Sequence, residues 1–263
     1  MRRLAAVAAL VTAIAVPLRG ADDPLARARQ LYNQGQFEAA IDAAEQARLL
    51  PARADAADLV AARAYLERFR ASEAGDDLVN ARERLRRIDP QRFPARERAE
   101  YIVGLGEALF FEGAFGASAD VLDPIVRSHD LLTGDARERV LDWWASALDR
   151  DAKPRPEIDR QAVYQRIRVR MEDELAARPG SGTAAYWLSA AARSQGDVQA
   201  AWDAAMAAWV RAPLLAADRG VQLRTDIDTL VMRAIIPDRA KATAQTPETL
   251  RQQWEQFKAR WNK

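Results

Sequence analysis

The chain has 263 residues, 49% of them hydrophobic, with 39 basic residues, 38 acidic residues and a net charge of +1. It contains no cysteine and one histidine, His129, which excludes disulfides, thiolate metal sites and multi-histidine metal sites. The balanced charge and the lack of a basic stripe interleaved with aromatic residues argue against a nucleic-acid partner. Strand-forming residues never alternate for long, so the sequence predicts an all-α protein.

Residues 1–21 have the composition of a secretory signal peptide. Two arginines precede an uncharged apolar run over 4–16, which is too short to span a bilayer, and small residues follow at Gly20 and Ala21. We expect cleavage near these small residues, which leaves an exported, periplasmic or extracellular protein with no integral membrane segment. A retained membrane anchor is the alternative. The segment holds three arginines and no acid, so its removal changes the net charge from +1 to −2.

Three stretches of the mature chain share a pattern of two short helices separated by a turn glycine. The stretches are 22–50, 101–126 and 185–213, and their turn glycines are Gly35, Gly113 and Gly196. Apolar residues recur every three or four positions on both sides of each glycine, which is the spacing of a helix face. The predicted equivalent positions are Leu31, Leu109 and Ala192 before the glycine, and Phe37, Phe115 and Val198 after it. A helix pair cannot bury both apolar faces alone, so we expect the copies to stack.

The intervals between the copies have room for one further helix pair each. The predicted helices are 58–70, 77–88, 136–149 and 157–178, with a longer turn at 71–77 and a proline break at 151–156.

After residue 213 the repeat pattern is lost. A helix over 221–236 is expected to end at Pro237, with a loop or a short turn over 238–245. Thr246 is a good cap for a last helix, whose apolar stripe is Leu250, Trp254, Phe257 and Trp261. This helix is expected to close the array, and a docking helix for a partner is the alternative.

The sequence lacks the residue patterns of common active sites. No glycine-rich phosphate loop follows a strand and no G-x-S-x-G occurs, so we predict no enzyme activity, no cofactor and no metal. His129 is expected to be solvent-exposed or capping. The acid pairs at 22–23 and 76–77 are expected at helix starts rather than around calcium. The charged runs 82–87 and 96–100 are interpreted as solvent-exposed helix faces.

The repeated pattern resembles the tetratricopeptide repeat family, whose signature is W-x2-L-G-x2-Y, then A-x3-F, then P. Here the signature is spelled Ile102-x2-Leu105-Gly106-x2-Leu109 with Ser118-x3-Leu122, and Ala185-x2-Leu188-Ser189-x2-Ala192 with Ala201-x3-Ala205, Ala208 and Pro213. Small residues at Gly106, Ser189, Ala40 and Ala201 are expected to let paired helices approach closely. The resemblance implies a right-handed α-solenoid of antiparallel helix pairs over 22–213 and a C-terminal helical cap over 214–263.

The resemblance also implies a concave groove, lined by the first helix of each pair, that binds a protein or peptide segment. The groove candidates are Tyr32, Glu107, Phe110, Phe111, Trp143, Tyr186 and Arg193. Of these, Glu107, Phe111, Tyr186 and Arg193 are expected to be at least partly exposed, although packing in the core is the alternative for the aromatic residues. The implied function is a non-catalytic scaffold or adaptor of the bacterial cell envelope. The alternative is an accessory helical subunit that acts with a cell-wall or envelope-assembly enzyme.

Overall fold

The computed structural model of this chain describes residues 23–128, 130–132 and 134–262, so the predicted signal segment and His129 lie outside the described residues. Within these ranges the chain is helical and has no strand, which confirms the predicted all-α class. The helices are α1 (Pro24–Asn33), α2 (Phe37–Arg48), α3 (Ala54–Ser72), α4 (Gly75–Arg87), α5 (Ala95–Phe111), α6 (Phe115–Arg127), α7 (Gly134–Ala152), α8 (Glu157–Ala177), α9 (Gly182–Ser194), α10 (Val198–Arg211), α11 (Ala217–Leu230), α12 (Ile236–Ala242) and α13 (Pro247–Trp261). None of these helices is both long enough and apolar enough to cross a membrane.

The helices pack in chain order as pairs joined by short turns. The first helices α1, α3, α5, α7 and α9 contact one another in sequence, and α11 follows α9. We call these six helices the first-helix layer. Each second helix, from α2 to α10, packs between its own first helix and the next one. The sequential neighbour contacts agree with the predicted stacking of helix pairs.

The three turn glycines adopt one conformation. Their φ angles are positive, 73° at Gly35, 79° at Gly113 and 82° at Gly196, a region that other residues rarely enter. The residue after each glycine donates its N–H to the carbonyl five positions back, a common helix ending. The acceptors are Leu31 at 3.0 Å, Leu109 at 2.9 Å and Ala192 at 2.9 Å. The shared bond confirms the predicted equivalence of these three positions.

Small residues bring the helices of a pair together. A Cβ atom at Gly106 would lie 2.5 Å from Cγ of Leu122, so α5 and α6 need glycine at this contact. The Ser118 hydroxyl donates to the Gly106 carbonyl at 2.7 Å, and the Ser189 hydroxyl donates to the Ala201 carbonyl at 2.7 Å. In one pair the serine is on the second helix and in the other it is on the first. The same close contact is therefore built twice from opposite sides.

Ala201→Leu should lower the free energy of unfolding by about 1–3 kcal/mol, because extra methylenes in a packed contact force neighbouring atoms apart. Ala201 is fully buried in the helix contact of α9 and α10. Urea denaturation checks this, with Ala117→Leu on the exposed face of α6 as the control. An unchanged urea midpoint for Ala201→Leu would show that the inferred close contact does not exist.

The sequence predicted that the helix after residue 216 ends at Pro237, but this prediction is wrong. A π-helical turn at Val231–Ile235 joins α11 to α12, and the helix continues to Ala242. Proline normally breaks a helix because it lacks an N–H and collides with the carbonyl four residues earlier. The wider π turn changes the hydrogen-bond register just before Pro237, so the proline falls in the first turn of α12, where it is tolerated.

The last helix begins as predicted, with the Thr246 hydroxyl accepting the N–H of Thr249 at 3.2 Å. Its stripe is buried at Leu250, Trp254 and Phe257, in a cluster shared with α10, α11 and α12. Trp261, at the end of the stripe, is 50% exposed. The helix thus packs against α10 and α12 at the C-terminal end of the described helices.

The structure differs from the sequence predictions at the charged run 82–87 and at the turn 71–77. The 82–87 run is not wholly solvent-exposed, because Arg84 is largely buried and binds Asp58 at 3.0 Å and also Glu45. The turn predicted at 71–77 is shorter, since α4 already begins at Gly75. Asp77 therefore lies in the first turn of α4, where the helix dipole favours a negative charge. At α1, Asp23 caps the helix and accepts the Leu25 N–H at 3.1 Å.

Candidate groove site

A cavity of about 440 Å³ opens on the first-helix layer between α1, α3, α5 and α7. Its volume lies within the range of small-ligand and side-chain pockets. Its apolar lining residues, here called the apolar wall, are Val103, Leu132, Ala136, Val140 and Trp143. Its charged lining residues, here called the charged wall, are Arg63, Glu67, Arg70, Glu100, Glu107 and Arg139. The arrangement suits an occupant that has both an apolar and a polar side.

Glu67 is the centre of the charged wall. Its carboxylate accepts hydrogen bonds from Nη1 of Arg70 at 2.8 Å, Nη1 of Arg139 at 3.2 Å and the Tyr32 hydroxyl at 3.3 Å. These partners come from α1, α3 and α7, so one carboxylate connects three first helices. Arg63 extends the network by donating to Glu100 of α5 at 2.7 Å.

Two arginines cover the aromatic rings that line the cavity. The guanidinium carbon of Arg63 is 4.4 Å from the centre of the Tyr32 ring. That of Arg70 is 4.8 Å from the centre of the Trp143 ring. Both distances are within the range of cation–π contacts. Each arginine therefore holds a carboxylate and a ring at once.

Glu107 is the most perturbed carboxyl group of the cavity. It is 7% exposed and hydrogen-bonds Nη2 of Arg70. Burial raises its pKa from 4.5 to about 7, with the nearby Glu67 acting in the same direction, whereas Arg70 and Arg139 oppose the rise. Near neutral pH Glu107 is consequently divided between its protonated and ionised forms.

A second cavity of about 380 Å³ continues from the first along α1, α3 and α5. The two share Tyr32, Asn33, Arg63 and Glu100, so the contact of Arg63 with Glu100 and the Tyr32 ring forms the partition between them. Arg29, Arg96 and Glu97 line the far end. The two cavities thus lie side by side on α1, α3, α5 and α7, and we call them together the groove.

Three of the seven predicted groove residues, Tyr32, Glu107 and Trp143, line the first cavity. Of these, Glu107 is buried, whereas the sequence predicted partial exposure, because α3 and α7 cover it with Arg70 and its neighbours. Trp144, the neighbour of Trp143, is fully buried in the core, as adjacent positions on a helix diverge by about 100°.

Phe110 and Phe111 lie at the C-terminal end of α5 and do not line either cavity. The Phe110 ring packs against Phe115 at 5.4 Å, and Phe111 packs against Phe69 at 4.9 Å. Both are half-buried. They lie about one turn beyond Glu107, where α5 is already covered by its neighbours.

Tyr186 and Arg193 lie on α9, away from the cavity. Tyr186 is half-buried with its ring 5.4 Å from that of Trp187, and burial together with nearby aspartates raises its pKa. Arg193 donates to Asp238 of α12 at 2.8 Å. The structure thus places the predicted residues in three regions of the first-helix layer, namely the first cavity, the C-terminal end of α5 and α9.

Several cavity residues were missed by the sequence analysis, namely Arg63, Glu67 and Arg70 of α3 and Arg139 of α7. The repeat signature is degenerate in the α3–α4 and α7–α8 pairs, so it could not be used to assign which residues of α3 and α7 face the groove. A usable signal was present in α3, because positions 63, 67 and 70 are spaced by four and three and therefore share one helix face.

Comparisons with models of protein families and with curated proteins give no match to this chain. The class is therefore defined by the fold and the cavity alone. Over the residues that the structure describes, the protein consists of sequentially packed helix pairs with a charged and apolar groove on its first-helix layer.

Proposed function

We propose that this protein is a non-catalytic scaffold that binds a segment of another protein in the groove of its first-helix layer. The proposal includes the finer fold assignment, a right-handed solenoid similar to tetratricopeptide repeats, in which the first helices line the concave face. The resemblance of the repeat spelling and the shared glycine turns support that assignment.

The form of the groove supports binding of a chain segment. Four first helices contribute to the cavity, so its shape depends on the stacking of the pairs and not on one loop. Its apolar wall can accept a side chain, while its arginines and glutamates can pair with polar groups of a partner. Aromatic residues and arginines, here Trp143, Tyr32 and Arg70, are the types that carry most binding energy at protein interfaces.

The observation that carries the proposal is the lining of the cavity, where the buried Glu107 adjoins open space and hydrogen-bonds Arg70 beside the Trp143 ring. A buried carboxylate whose pKa is raised by burial lowers the stability of the folded state at neutral pH. Side chains that cost stability are retained at sites of function more often than in plain packing. Glu107 adjoins the cavity, so we assign that cost to binding.

The secretory composition of residues 1–21 extends the proposal to location. We propose that the scaffold acts in the bacterial cell envelope or outside the cell after cleavage of this segment. If its partner is a cell-wall or envelope-assembly enzyme, the chain would be an accessory subunit of that enzyme.

Filling the cavity should abolish partner binding without unfolding the protein. Ala136 is exposed on the apolar wall, so Ala136→Trp places a large ring in the cavity at little cost to the core. We expect this variant to capture at least about tenfold less of the partner from envelope extracts than the parent chain does, since the ring occupies the partner's space.

The control for this experiment is Ala117→Trp, which adds the same ring to an exposed position of α6 outside the groove. It should capture the partner as the parent chain does, and both variants should keep the helical circular dichroism of the parent. Equal capture by Ala136→Trp and the parent would contradict binding in the groove.

A further inference from the structure

Resting on the proposed function, we propose that Glu107 is an internal competitor that occupies Arg70 until an acidic segment of the partner binds. In the bound state a side-chain carboxylate of the partner replaces Glu107 on the Arg70 guanidinium, and a neighbouring apolar side chain lies against Trp143 and Val140. The partner segment is therefore acidic with interspersed apolar residues.

The first support is the charge of the cavity. Three guanidinium groups, those of Arg63, Arg70 and Arg139, line it together with three carboxyl groups. Two of these carboxyl groups, on Glu67 and Glu100, are engaged by the arginines in ordinary ion pairs. The third, on Glu107, is partly protonated near neutral pH because burial raises its pKa to about 7. Over the two cavities together, five arginines (Arg29, Arg63, Arg70, Arg96 and Arg139) face four glutamates (Glu67, Glu97, Glu100 and Glu107), so the groove has a positive excess that an added carboxylate would neutralise.

The second support is the geometry of Arg70. Its side chain bridges Glu67, Glu107 and the Trp143 ring, so it lies between the charged wall and the apolar wall. A partner carboxylate at this guanidinium would bring its neighbouring residue beside Trp143 and Val140. One short segment can therefore use both walls.

The groove favours an internal segment over a chain end. The second cavity shares Tyr32 and Arg63 with the first, and Arg29, Arg96 and Glu97 line its remainder, with Arg29 paired to Glu97 at 2.6 Å. A chain that enters at α7 can run on toward α1 and meet these further arginines. For this reason we assign a side-chain carboxylate of the partner, and not its chain terminus, to the position beside Arg70.

Displacement of Glu107 from Arg70 leaves a buried carboxylate without its partner, and such a group takes up a proton. Binding is then coupled to proton uptake at Glu107. The charged and titratable groups that face it are Tyr32 from α1, Arg63, Glu67 and Arg70 from α3, Glu100 from α5 and Arg139 from α7.

The coupling predicts a defined pH dependence. With binding restricted to the protonated form and a pKa of about 7, the competent fraction at about pH 8 is about one tenth of that at about pH 6. The dissociation constant of an acidic segment should therefore be about tenfold larger at about pH 8.

Selection from a library of displayed random short peptides tests the ligand class. The full mature chain is used at mildly acidic pH, and binders are retained only if Ala136→Trp abolishes their binding. We expect these peptides to be rich in aspartate or glutamate beside leucine or phenylalanine. A synthetic copy with a free carboxylate only on its side chains should bind, and its matched copy with glutamine and asparagine should not.

Glu107→Gln tests whether Glu107 is a competitor. The affinity for the peptide with a blocked C-terminus and free side-chain carboxylates is measured by fluorescence anisotropy. The variant keeps the shape of the side chain but carries no charge, so it should bind about tenfold more tightly than the parent at about pH 8 and equally at about pH 6. Glu112→Gln, at the exposed end of the same helix, should behave as the parent does.

Results other than those expected from the peptide selection and from Glu107→Gln would each refute a different part of the proposal. Cavity-dependent peptides that are basic or uncharged would refute the acidic ligand while leaving the proposed function in place. Binding that requires a free peptide C-terminus would refute the internal segment. Unchanged pH dependence in Glu107→Gln would refute the competitor. A library without any cavity-dependent binder would refute both the inference and the proposed function.

Discussion

Arg137→Ala should lower the free energy of unfolding by about 3–5 kcal/mol, the usual loss when one partner of a buried ion pair is removed. Arg137 is 2% exposed and Glu174, its partner on α8, is fully buried. Nη2 of Arg137 lies 2.5 Å from Oε2 of Glu174, and Nε also donates to the same carboxylate. The alanine variant would leave that carboxylate buried, with Arg178 at 3.2 Å as its remaining cationic partner.

The expected loss is large because Arg137 also completes the end of α6. It donates to the carbonyls of Ser128 at 2.6 Å, Val126 at 2.8 Å and Ile125 at 3.3 Å. The last carbonyls of a helix have no partner within the helix, and leaving them buried and unpaired is costly. One guanidinium therefore joins α6, α7 and α8.

Chemical denaturation at neutral pH measures the loss, and its pH dependence identifies the cause. Burial opposes ionisation of Glu174, but hydrogen bonds and charge from Arg137 lower its pKa below the usual 4.5. The pair thus stabilises the fold above that usual value, and the contribution is lost as pH falls through the lowered pKa. The deficit of Arg137→Ala should shrink in acid, where Glu174 can protonate.

The double variant Arg137→Met with Glu174→Met is the matched control. It removes both charges and keeps apolar volume, so its stability should lie closer to the parent than that of Arg137→Ala. A single variant that loses less than about 1 kcal/mol would show that the pair is no more than a surface ion pair in its energetics.

The sequence contained a signal for Arg137 that was not used. Arg137 precedes Leu141, Trp144 and Leu148 by steps of four, three and four, so it lies on the buried stripe of α7. A charged residue on such a stripe indicates a buried ion pair. Its partner could not be named, because Glu174 lies on a different helix and only the packing brings the two together.

Local physics made the clear repeats predictable. Gly35, Gly113 and Gly196 need a conformation that glycine adopts easily, and the chain repeats the same bond across each turn. The end of α12 was not predictable in this way. Pro237 alone indicates a helix end, whereas the π turn that accommodates it forms in a helix packed against α10.

The groove was predicted only in part, because Phe110, Phe111, Tyr186 and Arg193 of the clear repeats line neither cavity. Position-by-position transfer placed Glu107 and Tyr32 on the first-helix layer, and both line the cavity. The charged wall from α3 and α7 was missed because those pairs lack the spelling that sets the register. The burial of Glu107 depends on these same missed arginines and glutamates, so its raised pKa could not be predicted either.

Glu107→Gln should stabilise the protein at mildly alkaline pH, by as much as about 3 kcal/mol, and should leave its stability nearly unchanged below about pH 4. The glutamine keeps the volume of the side chain and can still accept a hydrogen bond from Arg70. It removes the cost of ionising a buried carboxyl group, and the cost is large because burial raises the pKa from 4.5 to about 7.

The direction of the pH dependence follows from proton binding. Between 4.5 and about 7 the unfolded chain loses its proton from Glu107 while the folded chain keeps it. The folded state thus binds more protons in this window, and the stability of the parent falls as pH rises through it. Above about pH 7 both states are ionised and the deficit is constant.

Urea denaturation of the parent and Glu107→Gln across this window measures the effect. The two stability curves should meet in acid and separate steadily up to about pH 7, with the variant the more stable. Glu112→Gln, whose carboxylate is exposed and pairs only with Arg82, should follow the parent within about 0.5 kcal/mol at every pH. A Glu107→Gln variant less stable than the parent at neutral pH would mean that the ion pair with Arg70 outweighs burial, and Glu107 would then be a stabilising residue of the groove.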